Sequence, residues 1–328
     1  MKKRVSNLFR PGIKEFKDSG LSNLVGSQSN RLVNPDGSFN IIRTGIPKFA
    51  DYSVIHELMA MSWLRFLVFV FCGYFILNFL FGLIYFLIGM EQFMGPIATG
   101  NLEQFQEAYF FSTQTLATVG YGRMNPIGLG ANLVASIESM IGIVVIAIVT
   151  GLVYGRFSRP VIRLKFSTNA LISPYKEGNA LMFRLANAKR NDMSDVEAQV
   201  MLSMVLYEDG KFMRRYYNLE LERRLVNSLS LSWTLVHPIN DNSPLANFDA
   251  QLLEEYEAEV MVTVKGFDPT FSQVVQTRTS FHHSQIIWNA RFTPTFRRSD
   301  DGHNTILELD HINDFEVLEI AKKETITT

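Results

Sequence analysis

The chain has 328 residues, a formal net charge of −1, one cysteine and 26 phenylalanines. That length allows two domains or a few, and the balanced charge gives no electrostatic basis for binding nucleic acid. A lone Cys72 excludes an intrachain disulfide framework, and the slightly positive mean hydropathy is unusual for a soluble globule but fits a partly membrane-embedded chain.

Residues 1–46 are polar and carry Lys2, Lys3, Arg4, Arg10, Lys14, Lys17, Arg31 and Arg43. No apolar core follows this basic start closely enough for a secretory signal. Asn34-Pro35-Asp36-Gly37 reads as a turn. In residues 47–61, which carry Lys48 near their start, Phe49, Tyr52, Ile55 and Met59 recur at helical spacing on one face, with Asp51 and Glu57 elsewhere. That pattern predicts a short amphipathic helix, either at the inner membrane surface or packed on a protein core; its direct attachment to an apolar run favours the surface.

Residues 62–89 form the first predicted span: Phe66 to Ile88 is almost wholly apolar and, at ~1.5 Å per residue, long enough for a ~30 Å hydrocarbon core. Trp63 and Arg65 stand at its interface, and Cys72 is a small hydrophobe within it. Residues 102–116 predict a shorter helix with aromatics at Phe105, Tyr109, Phe110 and Phe111 and with Thr113, Gln114 and Thr115 near its end. Its C-terminus directs a partial negative charge toward whatever lies beyond Ala117, which favours a cation. Residues 129–157 form a second span containing a single acid, Glu138, and the glycines Gly142 and Gly151. Basic residues gather before the first span and after the second, with only Arg123 between them, so the positive-inside rule sets both termini in the cytoplasm.

Between the short helix and the second span stand Thr118-Val119-Gly120-Tyr121-Gly122. This pentapeptide resembles the selectivity filter of potassium channels, in which backbone carbonyls replace the ion's hydration shell. Gly120 and Gly122 permit the backbone angles that such a run needs, Thr118 adds a hydroxyl below it, and Val119 and Tyr121 point outward as wedges. Irregular backbone at membrane depth must be covered by protein or line water; a lone chain cannot supply that cover, and a ring of four can. A membrane-anchored receptor that conducts nothing has no use for these glycines.

Residues 158–165 are a basic linker, and with Arg156, Arg159, Arg163 and Lys165 they lie where anionic headgroups attract cations at ~1 kcal/mol per charge. Residues 166–320, before a tail at 321–328, change texture. Val196 to Met204 alternates in part, Val260, Val262 and Val264 share a face, Thr305 to Asp310 alternates, and a helix is expected near Asp249 to Tyr256. Short strands divided by Glu208-Asp209-Gly210, Gly178-Asn179 and Asp300-Asp301-Gly302 predict a β-sandwich. The glycine-rich dinucleotide fingerprint and the phosphate loop are missing. Adjacent His282 and His283 lack metal-ligand spacing, no nucleophile–base pattern stands out, and no span carries the arginine ladder of a voltage sensor.

The chain resembles prokaryotic inward-rectifier potassium channels of the KirBac type over roughly residues 31–318. The markers are Ala117 to Gly122, the exit of the second span Gly151-Leu152-Val153-Tyr154-Gly155-Arg156-Phe157-Ser158-Arg159-Pro160, the stretch Leu181-Met182-Phe183-Arg184-Leu185-Ala186-Asn187, and Ser232 to Leu245 with its His237-Pro238-Ile239-Asn240-Asp241-Asn242-Ser243-Pro244. The resemblance implies a homotetramer with a two-span pore domain, an immunoglobulin-like cytoplasmic domain extending the pore, K⁺ as permeant ligand at the filter, and no other metal or cofactor. The lack of an extracellular cysteine pair implies a bacterial inner membrane.

For single residues the resemblance implies the following. Ile146 stands where strong rectifiers carry an acid, so rectification by internal Mg²⁺ or polyamines is weak at this position; Ba²⁺, Mg²⁺ and polyamines are the candidate blockers. Tyr154, about two turns further, is the cytoplasmic gate, closing by dewetting. Gly142 is the inner-helix glycine, a hinge or a packing site. Glu138 either lines the cavity and concentrates cations or lies behind the filter against Thr113 or Gln114. Arg43, Lys48, Arg156, Arg159, Arg163 and Lys165 are candidate contacts for anionic phospholipid, of unknown sign. Asp268 is a candidate for the cytoplasmic pore. Gln114 stands where animal relatives have an acid that pairs with a base near the outer mouth, which leaves Arg123 to meet Glu103, Glu107, a neighbouring subunit or water.

Overall fold

A computed structural model describes residues 15–16, 31–42, 44–45, 54–158, 163–189, 192–208 and 211–318. The expectations for Arg43, Lys48, Arg159, residues 47–53 of the amphipathic helix, the Asp209-Gly210 turn and the tail at 321–328 lie outside these residues. The chain divides into two compact units, residues 44–159 and residues 1–43 with 160–328.

In the first unit α1 is Val54–Ala60, α2 Trp63–Ile88, α3 Asn101–Leu116 and α4 Leu129–Phe157. Two two-residue strands, β1 (Phe93–Met94) and β2 (Asn125–Pro126), pair antiparallel across the loops flanking α3. The 26 residues of α2 and 29 of α4 both reach a mean hydropathy of 2.4, yet only 17% and 11% of their most apolar windows are buried. A soluble core helix shows the opposite, so these apolar faces are left for lipid or for other copies of the chain.

What α2 does bury is a stripe at Phe66, Asn78, Gly82 and Tyr85. The last three recur at i, i+4 and i+7 and so share one face. A Cβ on Gly82 would lie 2.9 Å from the Tyr109 Cα, which shows how closely α3 approaches. Tyr85, Phe93 and Phe111 then meet edge-on, with centroids 5.1 to 5.5 Å apart, each pair adding about 0.5–1.5 kcal/mol beyond area burial. Met90, Ala108 and Ala131 complete this small core.

In the second unit β3 is Leu164–Phe166, β4 Ala170–Tyr175, β5 Gly178–Asn187, β6 Ser194–Glu208, β7 Lys211–Asn218, β8 Leu225–Ser228 and β9 Ser232–Ile239. After α5 (Ala250–Glu255) come β10 (Glu259–Asp268), β11 (Gln273–His282), β12 (Ile286–Trp288), β13 (Ala290–Phe292), β14 (Phe296–Arg298), β15 (Thr305–Leu307) and β16 (Phe315–Val317). One sheet runs β11-β10-β6-β7, with β8 also on β6; the other runs β12-β4-β5-β3, with β9 on β5. Their inner faces build one core: Val196, Ala198, Val200, Leu202 and Met204 from β6 and Val260, Val262 and Val264 from β10 meet Leu181, Phe183 and Leu185 from β5. Period-2 alternation decides this, because every second side chain leaves the same face. Asp249 caps α5 by accepting from the Leu252 amide at 2.8 Å.

The alternation at Thr305 to Asp310 becomes a strand only over Thr305–Leu307, paired with β14; Leu309–Asn313 is a 3₁₀ turn. The Asn34–Gly37 turn forms, with Gly37 donating to the Asn34 carbonyl at 2.9 Å. Gly37 has φ +84°, and a Cβ there would lie 2.6 Å from the Arg278 carbonyl oxygen, so only glycine fits. This turn ties residues 31–39 to the outer face of the first sheet. The buried Glu259 carboxylate accepts from the amides of Leu32 and Val33 at 2.9 and 3.1 Å.

Candidate functional site

The pentapeptide 118–122 begins where α3 ends. Thr118, Gly120 and Gly122 have φ of +58°, +55° and +81°, whereas Val119 and Tyr121 are not among the positive-φ residues. Alternating the sign of φ turns successive peptide planes the same way. The amides of Thr118 and Val119 donate to the Thr115 and Gln114 carbonyls at 3.0 and 2.8 Å, and that of Gly120 reaches Gln114 at 3.4 Å. In a trans peptide C=O opposes N–H, so the carbonyls of Ala117, Thr118 and Val119 face away from α3. Thr118 is a β-branched residue held in the left-handed region, a strain of order 1 kcal/mol or more that its surroundings must hold. Val119 and Tyr121 are exposed in the single chain, and Asn125 donates to the Gly122 carbonyl at 2.9 Å.

Behind this segment, Gly142 packs against the last turn of α3: a Cβ there would collide with the Leu116 carbonyl. Gly142 is buried within a continuous α4 and makes a packing contact. Glu138 is corrected as a cavity residue. Its side chain is 0% exposed, and its two oxygens meet Ser112 Oγ and Tyr85 OH, each at 2.5 Å. The partner on α3 is thus Ser112, neither Thr113 nor Gln114. Helix geometry gives the reason: at about 100° per residue Glu138 and Gly142 lie on the stripe facing α3, Ile146 about 80° and Tyr154 about 160° from Glu138. Ile146 and Tyr154 are 50% and 73% exposed.

At the outer end, Arg123 pairs with Glu107 of α3. Glu107 also accepts from the Ile97 and Ala98 amides at 3.2 and 3.4 Å. An acid–base pair therefore exists beside residues 118–122, but its acid sits two turns before Gln114. Gln92 organises the other flank, accepting from Ile127 at 2.8 Å through its carbonyl and from Ala131 at 3.2 Å through Oε1.

At the opposite end, Arg156 is corrected as a lipid contact. Its guanidinium donates to the carbonyls of Leu58 and Met61 at 2.5 and 2.6 Å and lies 4.7 Å from the ring centroids of Trp63 and Phe66. A cation at the C-terminal end of α1 meets its unsatisfied carbonyls and its dipole, so the charge is spent inside the protein. In the other unit, Arg163 is exposed, and Lys165 donates to the Leu309 carbonyl at 2.9 Å. Asp268 is corrected as a pore-lining acid: it is 3% exposed and accepts from the Thr270 amide at 2.9 Å, closing the β10–β11 hairpin. Sequence reasoning missed Ser112, Tyr85, Asn78 and Gln92. For two of them a signal existed, since Asn78 and Tyr85 are groups with polar atoms on the same helical face of an otherwise almost wholly apolar run.

Residues 164–325 match the model of the inward rectifier potassium channel C-terminal domain, and residues 66–159 match an ion channel model. The inward rectifier potassium channel Kirbac3.1 of Paramagnetospirillum magnetotacticum is 34% identical over 282 residues, 84% of this chain and 92% of that protein. This chain belongs to the inward-rectifier potassium channel family. Among animal relatives, the human G protein-activated inward rectifier potassium channel 2 is 28% identical, covering 82% of this chain and 69% of that protein. The chicken ATP-sensitive inward rectifier potassium channel 12 is 26% identical, covering 87% and 71%. Family membership makes this an integral-membrane potassium channel subunit and not an enzyme, with K⁺ as the permeant ion and tetrameric assembly. The strand-rich second unit is the family's cytoplasmic β-sandwich.

Proposed function

We propose that four copies form a passive, K⁺-selective pore whose filter is Thr118-Val119-Gly120-Tyr121-Gly122 and whose gate is Tyr154. The observation carrying this reading is the alternating backbone of residues 118–122, with the amides of Thr118, Val119 and Gly120 bound to α3 and the carbonyls of Ala117, Thr118 and Val119 turned away from it. Carbonyls so aimed by four subunits replace a K⁺ hydration shell. Both termini are cytoplasmic, in a bacterial inner membrane. Ile146 offers no charge to internal Mg²⁺ or spermine, so rectification is weak. Anionic phospholipid modulates opening through Arg43, Lys48, Arg159, Arg163 and Lys165. The deciding experiment is ⁸⁶Rb⁺ uptake into liposomes holding the purified tetramer. Uptake driven by K⁺, not by Na⁺, blocked by Ba²⁺ and only shallowly by internal spermine is expected. Equal Na⁺-driven uptake, or none, would reject the reading.

A further inference from the structure

Glu138, Ser112, Asn78 and Tyr85 form a closed polar cluster between α4, α3 and α2, all four buried. Its hydrogens can be counted. Asn78 Nδ2 donates to the Tyr74 carbonyl at 2.7 Å; the reversed amide would set oxygen against oxygen. Asn78 Oδ1 therefore faces Ser112 Oγ, 3.2 Å away, and as a carbonyl it only accepts. The Ser112 hydroxyl has one hydrogen. If that hydrogen goes to Asn78, the 2.5 Å contact between Ser112 Oγ and Glu138 Oε1 needs a hydrogen from Glu138. Tyr85 OH then donates to the remaining Glu138 oxygen, Oε2. Every member is satisfied in this arrangement. With an ionised carboxylate, Ser112 must turn its hydrogen to Glu138, and Asn78 Oδ1 is left buried without a donor. Two costs then fall together: an unmade buried hydrogen bond and an uncompensated charge away from water.

We propose that Glu138 is a positioning residue that works as a neutral carboxylic acid, pinning α3 between the two membrane-spanning helices through Ser112 and Tyr85. Ser112 stands two residues before Gln114, whose carbonyl holds the Val119 amide, so the pin steadies the filter without adding a charge behind it. The inference rests on the filter reading for its functional half; its chemical half stands apart.

The test joins a spectroscopic signature to a conservative rescue. Infrared spectra of the reconstituted wild-type tetramer should contain an un-ionised carboxylic acid carbonyl stretch that Glu138→Gln removes. Glutamine repeats the donor–acceptor pattern, with its amide hydrogen to Ser112 and its carbonyl to Tyr85. Glu138→Gln should therefore keep wild-type ⁸⁶Rb⁺ uptake, Ba²⁺ block and tetramer melting. Glu138→Ala should shift the folded-to-unfolded ratio by on the order of tenfold or more. Absence of the acid band overturns the proposal, as does a Glu138→Gln channel as impaired as Glu138→Ala. A wild type that takes up no ⁸⁶Rb⁺ rejects the filter reading, and the band still decides the state of Glu138.

Discussion

Glu107 and Arg123 form an ion pair of unequal members. Arg123 is 63% exposed and Glu107 16%. The pair itself is worth about 0.2–1 kcal/mol at such exposure, but Glu107 also holds the Ile97 and Ala98 amides. Glu107→Ala should thus lower tetramer stability by about 1–2 kcal/mol and Arg123→Ala by less, measured as thermal loss of the tetramer band in detergent; equal effects would mean that the loop contacts carry nothing. His237 is a second residue with more than one partner. One ring nitrogen meets the Glu220 carbonyl at 2.6 Å and the other Ser243 Oγ at 2.8 Å, which fixes the loop after β9. Burial holds its pKa below the ordinary value, against a smaller upward pull from the Glu220 carbonyl. Below the unfolded value of about 6.5 the unfolded chain takes up a proton before the folded one does. Stability from His237 is therefore present above that pH and declines as pH falls from it toward the lowered folded value. Melting curves between neutral and mildly acidic pH should show this slope, reduced in His237→Gln.

At the scale of elements, Arg156 straps α4 to the end of α1, beside the packing of Met59 at Gly155. Arg156 supplies two charge-assisted hydrogen bonds to the end of α1 and stacks on Trp63 and Phe66. Arg156→Ala should cost about 2–4 kcal/mol and increase proteolysis near α1, while Arg156→Lys, which cannot span both carbonyls, should fall between. If Arg156→Ala instead left stability intact and altered only lipid response, the strap would be wrong. Two turns along α4 from Ile146, Tyr154 leaves its side chain open in the single chain. Tyr154→Ala should raise ⁸⁶Rb⁺ uptake several-fold with the tetramer intact; unchanged uptake would remove the proposed gate. Close helix approach at Gly82 and Gly142 explains why these elements form one small core, since apolar faces in lipid gain little from merely being apolar.

At the scale of the whole molecule, the exposed faces of α2 and α4 and the exposed side chains of Val119 and Tyr121 are left for lipid and neighbouring subunits. The proposed lipid response is assigned to the basic residues after α4 as a group. Changing the anionic lipid fraction should alter uptake in the wild type, and Arg159→Gln combined with Arg163→Gln should blunt that change; an undiminished response would assign lipid sensitivity elsewhere. Arg156 is absent from this test because its charge is already used within the protein. The membrane segments and the sandwich class were legible in the sequence because each follows a local rule: an apolar run of sufficient length, or alternation with period two. The alternation over Thr305 to Asp310 is longer than the strand it forms because pairing needs a partner strand, and β14 spans only three residues.

The sequence by itself determined the two spans, the family and the glycine spacing of the proposed filter, since glycine placement, hydropathy and short motifs are properties of the chain taken in order. Only the tertiary structure decided what each charge does. Glu138 sits at the edge of a helical stripe, and 100° steps alone left it between cavity and pore helix until Ser112 and Tyr85 closed on it. Arg156 and Asp268 looked like free charges because a sequence does not reveal which carbonyls or amides remain unsatisfied nearby. Side-chain charge is written in the sequence, but its partners are brought together by packing between residues far apart in the chain.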